Sequence, residues 1–318
     1  MNMDSQELRT IEQIKRSAGT ELLTMLYSPK TVEIMLNPDG SLWVEKLGEP
    51  SYKFSCLASA QSLAMMQYIA GYYRKELTAD QPILECEFPV DGSRFAGQIP
   101  PVVSQPTFTI RKRAISVFSL EQYCESGVMT DDQYKAICSA VINHKNILVI
   151  GGTGSGKTTL INAIIQKMVE SKPEERPVII EDTGEIQCSA KNYVQFHTTS
   201  SVSMTDLLKT TLRMRPDRIL VGEVRGAEAL DLLMAWNTGH PGGAATLHAN
   251  DAVAGLDRLS TLISMSDHAP DMIEKLIAEA VDIVVCIART NSGRTIKEII
   301  EVESFDYESH KYIYHELF

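Results

Sequence analysis

Cysteine is sparse and unpatterned in this chain: six residues, at 56, 86, 124, 138, 188 and 286, with no C-x-x-C pair and no histidine at zinc-finger spacing. That pattern argues against a disulfide framework and a structural zinc cluster, and it fits reduced core thiols in a cytoplasmic protein. Long apolar runs are missing too. No stretch approaches the roughly 18 residues of a membrane span, and the opening MNMDSQELRTIEQIKRSAG has no apolar segment of signal-peptide kind. The expectation is a protein that is soluble, or held at a membrane only through partners. Positive charge is in deficit, 30 Lys and Arg against 41 Asp and Glu for a net charge of −11. This disfavours a broad electrostatic footprint for nucleic acid or anionic lipid, although a local basic patch stays open. Internal repeats and low-complexity tracts are also absent.

What is present suffices for two domains. A chain of 318 residues, 44% hydrophobic and 22% charged, exceeds the roughly 250 to 300 residues at which single cores stop growing. Apolar residues at helical spacing from Asp4 to Leu26 predict a helix interrupted at Gly19. TVEIML and SLWVEKL flank the turn signal Asn37-Pro38-Asp39-Gly40, CLASAQSLAMMQYIAGYYRKEL has the pattern of a helix, and ILECEFPV and RFAGQIPP flank a second hairpin turn at Asp91-Gly92-Ser93. With PTFTIRKR as a further strand, residues 1–113 form an α+β domain. The weakly patterned residues 114–128 are taken as a linker. Residues 129–318 alternate apolar strands such as NILVI, PVIIE and RILVG with helical segments, as a mainly parallel sheet covered on both faces requires. DIVVCIART, TIKEIIEVESF and KYIYHELF suggest closing strands.

Gly151, Gly152, Thr153, Gly154, Ser155, Gly156, Lys157 and Thr158 fit G-x-x-x-x-G-K-[ST] between an apolar strand and a helix, with Thr159 next in line. Glycines let such a loop curl its N–H groups toward phosphate oxygens, and the helix N-terminus adds positive potential. Lys157 is placed to reach the β- and γ-phosphates and Thr158 to offer its hydroxyl to Mg²⁺. A ligand-free glycine turn would not need Lys and Thr at those offsets. No N-K-x-D guanine-reading segment occurs, which favours ATP.

Two later strands deliver acids to the same sheet edge: VIIEDTGEI brings Glu181 and Asp182, and ILVGEVRG brings Glu223. Gly222 stands where many ATPases carry the metal-binding Asp. His248 follows another apolar strand in TGHPGGAATLHAN, where a lone His is as often a structural hydrogen-bonding residue. His240, before Pro241 and Gly242, fits a structural turn.

These four segments, in this order, resemble the secretion-ATPase superfamily of type II and type IV secretion, pilus dynamics and conjugation, and within it the conjugal-transfer ATPases of the TrbB type. GGTGSGKT looks like its Walker A, VIIEDTGEI its Asp box, LRMRPDRILVGEVRG its Walker B region and TGHPGGAATLHAN its His box. The resemblance implies a C-terminal RecA-like P-loop ATPase domain behind a smaller α+β N-terminal domain. Gly-Glu at the end of the Walker B strand is a signature of that superfamily. By resemblance Glu223 is the catalytic acid, Glu181 and Asp182 add carboxylate, and His248 senses the γ-phosphate. How metal and water are divided between Glu181 and Glu223 stays open.

The resemblance further implies that Arg94 and Arg111, with Arg113 a weaker candidate, reach the nucleotide from the N-terminal domain. Otherwise they are exposed side chains on an edge strand. Arg213, Arg215 and Arg218 in RMRPDR are additional arginines. It implies a homohexameric ring, cytoplasmic and peripheral at the inner membrane, that converts ATP turnover into domain motion for pilus assembly or substrate transfer, alongside inner-membrane components of a conjugation or type IV secretion apparatus. The rival readings are a DNA-dependent RecA-like ATPase and a nucleotide-gated scaffold with little turnover. Specific nucleic-acid binding is disfavoured by the charge and by the lack of aromatic residues interleaved with basic ones.

Overall fold

In the computed structural model, which describes residues 5–46, 49–112, 118–199, 201–290 and 293–318, the first helix, α1 (Ser5–Tyr27), breaks at Gly19, whose backbone is left-handed at φ 77°. Gly tolerates that conformation where an L side chain resists it, so the helix kinks at the interruption predicted from the sequence. The chain divides into two compact units, Met1–Ile115 and Ser116–Phe318.

In the first unit, β1 (Thr31–Leu36) and β2 (Ser41–Lys46) form the expected hairpin. Its turn is fastened by Asp39 Oδ1, which accepts from the Ser41 backbone N–H at 2.9 Å. Then come β3 (Tyr52–Cys56), α2 (Ser59–Tyr72), β4 (Ile83–Glu87), β5 (Arg94–Gln98) and β6 (Thr107–Arg111). The six strands pair antiparallel in the order β3-β2-β1-β6-β5-β4. Strand alternation sends Ile34, Ile110 and Phe95 into a core shared with Ile14, Leu22 and Leu26 of α1 and Met65, Met66 and Ile69 of α2. Neighbours in the sequence, Glu33, Arg111 and Arg94, are themselves in register across β1, β6 and β5 and share the opposite face.

The second unit begins with α3 (Leu120–Glu125) and α4 (Asp131–Ile142), followed by β7 (Ile147–Ile150), α5 (Lys157–Ser171), β8 (Pro177–Glu181), β9 (Val194–His197), α6 (Met204–Thr211), β10 (Arg218–Val221), α7 (Glu228–Asn237), β11 (Ala244–Leu247), α8 (Ala252–Ile263), α9 (Ile273–Ala280), β12 (Ile283–Thr290), β13 (Gly293–Asp306) and β14 (Lys311–Glu316). Eight strands lie in the order β14-β13-β12-β7-β11-β10-β8-β9. From β12 to β9 they run parallel, while β13 and β14 close the sheet antiparallel. This is the mainly parallel α/β fold that the alternation predicted. Every residue of β7, β8, β10 and β11 is buried, because alternate side chains enter two different cores. Leu148 and Ile150 of β7 join the core built with α6 to α9, whereas Ile147 and Val149 join the one built with α3 to α5.

The linker expected over 114–128 is corrected from Ser119 onward. Residues 113–117, with Arg113 among them, lie outside the described residues. Beyond them Ser119 caps α3 in a reciprocal box with Gln122, and Leu120 and Tyr123 are buried in the core of the second unit. All six cysteines are free, as expected, but only Cys286 is buried. No helix among the described residues is long and apolar enough to cross a membrane.

Candidate functional site

Parallel strands place their carboxyl ends at one sheet edge, and the residues expected from the sequence to serve the nucleotide in this unit, the loop 151–159 with Glu181, Asp182, Glu223 and His248, follow strands that end there. The loop after β7 ends at Gly156, left-handed at φ 103°, which caps α5. Lys157 is 8% exposed, and its Nζ donates to the carbonyls of Gly151 and Gly152 at 3.0 Å each. Ser155 Oγ is buried in the loop without a hydrogen-bond partner. An orphaned hydroxyl beside a lysine and the N-terminal N–H groups of α5 is a donor set that suits phosphate oxygens.

Thr158 Oγ1 donates to Glu185 Oε2 at 3.1 Å. A hydroxyl beside a carboxylate is a hard-oxygen pair that suits Mg²⁺, which is usually held by one or two protein oxygens plus substrate phosphates. Among the described residues, no group of three or more His, Cys, Asp or Glu could hold a metal ion.

Glu181, at the end of β8, is only 2% exposed. Its Oε1 accepts from the backbone N–H groups of Glu185 and Ile186 at 2.9 and 2.8 Å, and its Oε2 accepts from Gln195 Nε2 at 2.6 Å. The carboxylate folds the following loop back on itself and thereby aims Glu185 at Thr158. Burial pushes its pKa above the ordinary 4.5, against the opposing pull of those hydrogen bonds. The folded state therefore holds this proton longer than the unfolded chain does. Its contribution to stability is full below pH 4.5 and is lost as pH rises through the raised value. Glu181→Gln is expected to remove that decline, so thermal melts from about pH 4 to about pH 8 should show variant and wild type diverging with pH. A constant offset across the range would contradict the assignment.

Gly222, the residue in place of the usual Asp, meets Glu181 directly. A Cβ built on it would lie 2.9 Å from Glu181 Cγ. The buried glutamate of β8 thus occupies the space that a side chain after β10 would need.

Glu223, one residue on, joins two neighbours. Its Oε1 lies 3.0 Å from His248 Nε2 and its Oε2 lies 2.5 Å from Arg225 Nη2. Arg225 also reaches Asp182 Oδ2 at 3.2 Å, and Thr198 Oγ1 donates to the other oxygen of Asp182 at 2.9 Å. Lys157 Nζ sits 3.3 Å from both ring nitrogens of His248. The loop lysine, His248, Glu223, Arg225 and Asp182 therefore form one continuous polar chain across the ends of four strands, β7, β11, β10 and β8. A recess of about 300 Å³, lined by Glu223, Val224, Arg225, Leu247, His248 and Arg258, opens beside it.

Arg94 and Arg111 belong to the first unit, where they face each other as Cα partners on β5 and β6. Arg218 is structural: fully buried, it donates to Glu175 at 2.5 Å and to the carbonyls of Gly242 and Val141. Sequence reasoning passed over Glu185, Gln195 and Arg225. Glu185 and Arg225 stood inside the quoted acidic segments, but nothing in the pattern distinguished them from surface charge.

Residues 59–310 match the family described as Type II/IV secretion system protein. The chain is 47% identical over 297 residues to the probable conjugal transfer protein TrbB of Sinorhizobium fredii, covering 93% of this chain and 91% of that one. It is 30% identical to the type IV secretion system protein VirB11 of Bartonella quintana, over 84% of this chain and 87% of the relative. Among solved structures, the VirB11 ATPase of the Brucella suis type IV secretion system superposes with a TM-score of 0.50 at 25% identity, covering 93% of this chain and 96% of the other. With a phosphate loop, paired acids and a histidine at one sheet edge and these likenesses along nearly its whole length, the chain belongs to the type II/IV secretion ATPase family and is an ATPase.

Proposed function

We propose that the protein hydrolyses ATP with Mg²⁺ and works as the motor of a conjugation or type IV secretion apparatus. The observation that carries the chemistry is the polar chain from Lys157 through His248 to Glu223, beside the Thr158–Glu185 pair. Bound Mg²⁺ would neutralise phosphate charge, with Thr158 and Glu185 as its protein oxygens. Lys157 binds the β- and γ-phosphates, and the backbone N–H groups of residues 151–159 orient them. Glu223 orients and deprotonates the attacking water, and His248 couples it to the phosphate end of Lys157. Glu181 acts through Glu185 as a positioning residue. This reading divides the duties that the sequence left undivided between Glu181 and Glu223, and it is supported by the burial of Glu181 in loop hydrogen bonds and by the place of Glu223 at the open recess.

A homohexameric ring, a cytoplasmic place at the inner membrane and arginine contacts from Arg94 and Arg111 are parts of the same proposal. The transport role is supported by the names of the relatives, conjugal transfer protein and type IV secretion system protein. A steady-state assay tests the reading: phosphate release from ATP should need Mg²⁺, stop in EDTA and be unchanged by single- or double-stranded DNA. A rate that depends on DNA would favour the RecA-like rival. Absence of turnover in the assembled protein would favour the scaffold.

A further inference from the structure

The catalytic groups flank the phosphate loop on one side only. β11 and β10 bring His248 and Glu223 to that side, while on the other side β7 pairs with β12. β12 runs parallel to β7, with Cys286 abreast of Ile150, so its next residue draws level with the loop. The two are in close contact. A Cβ on Gly151 would lie 2.2 Å from the Ile287 carbonyl oxygen, and one on Gly156 would lie 3.6 Å from Ile287 Cδ1. At roughly 3.3 Å per residue, Arg289 stands about 7 Å beyond Ile287 on the same face of the strand. Across the hairpin Arg289 is the Cα partner of Arg294. The Arg294 stem lies on the loop itself, its Cδ 3.0 Å and its Nε 3.2 Å from the Cβ position of Gly156.

Two arginines directly opposite each other on one face of a hairpin repel. Both are exposed. No carboxylate among the described residues lies within ion-pair range of either guanidinium. A like-charge pair leaning on a phosphate-binding loop is the arrangement an anion would relieve, and Arg offers fork geometry suited to phosphate. With Glu223 and His248 in their proposed roles, the γ-phosphate lies on the β11 side. A nucleotide threaded along the loop therefore brings its α-phosphate to the β12 side.

We propose that Arg294, supported by Arg289, is a nucleotide-binding residue that contacts the α-phosphate from the β12–β13 hairpin. This rests on the nucleotide reading of residues 151–159. Arg294→Met keeps a stem of similar length against Gly156 and removes the charge. Calorimetric titration with Mg·ADP is expected to give roughly tenfold weaker binding for Arg294→Met, with the melting temperature of the nucleotide-free protein unchanged. Arg289→Gln should weaken binding in the same direction, by less. Wild-type affinity in Arg294→Met overturns the proposal, as does weaker binding accompanied by a clear drop in melting temperature, which would mark a packing role only. Retained ADP affinity with lost retention on heparin would move the pair to a polyanion surface and overturn it equally. Lys157→Ala separates this from the underlying reading: if that variant binds ADP as wild type does, the loop assignment itself fails, whatever Arg294 does.

Discussion

Glu223→Gln is expected to bind ATP about as tightly as wild type and to hydrolyse it roughly a thousandfold more slowly, within the range that a positioned general base contributes. The amide keeps the shape of the side chain and one oxygen for His248 or Arg225, so the recess and the loop should survive. What disappears is the basic oxygen that takes a proton from water. Single-turnover measurements separate the two effects, because binding is read before chemistry begins. The ion pair with Arg225 sharpens the expectation. At 2.5 Å this guanidinium pairs with Glu223 and ties it to Asp182 of the neighbouring strand. Glu223→Gln should therefore also loosen Asp182. A tenfold or smaller loss of turnover would show that another acid carries the water, and Glu185 would be the next residue to change.

How much of this was legible in the sequence follows from how local each signal is. The phosphate loop was readable because its chemistry needs fixed residue types at fixed offsets, and its flanking strand was readable because burial on both faces leaves an uninterrupted apolar run. Helix α3 was missed as regular structure since six residues give less than two turns of periodicity. Its S-x-x-Q capping box was nevertheless present in the sequence. Glu185 was hidden for a different reason. Three acids fall within five residues of the Asp box, and which of them faces Thr158 depends on Glu181 gathering two backbone N–H groups while Gln195 holds it from β9. That selection is made by contacts across strands, which no periodicity encodes. Arg218 shows the same limit in reverse. In RMRPDR it looks like surface charge, yet a glutamate from the segment before β8 and two carbonyls satisfy it in full burial. The placement of Arg294 on Gly156 likewise joins opposite ends of the second unit.

Restoring the Asp that most ATPases carry at the end of this strand should damage the protein. In Gly222→Asp the new Cβ falls 2.9 Å from Glu181 Cγ, a distance at which something must shift, and 3.3 Å from its Oε1, a tight contact. The added carboxylate would also stand against a glutamate that is 2% exposed. Two like charges in a shielded site raise each other's pKa, so one must take a proton or move into water. If Glu181 moves, the backbone N–H groups of Glu185 and Ile186 lose their acceptor, and Glu185 drifts from Thr158. Overpacking and charge burial together should cost about 2 to 4 kcal/mol, a fall of roughly 5 to 15 °C in melting temperature for a unit of this size. ATP turnover should fall at least a hundredfold. Gly222→Ala isolates the steric part and should cost less. Gly222→Asp combined with Glu181→Gly returns the missing volume and removes the like-charge clash, so it should recover much of the melting temperature. Turnover should stay low, because the loop that presents Glu185 depends on the carboxylate of Glu181. If Gly222→Asp alone melts within about a degree of wild type and hydrolyses ATP normally, then Glu181 does not hold that space, and the division of labour between the two glutamates is wrong.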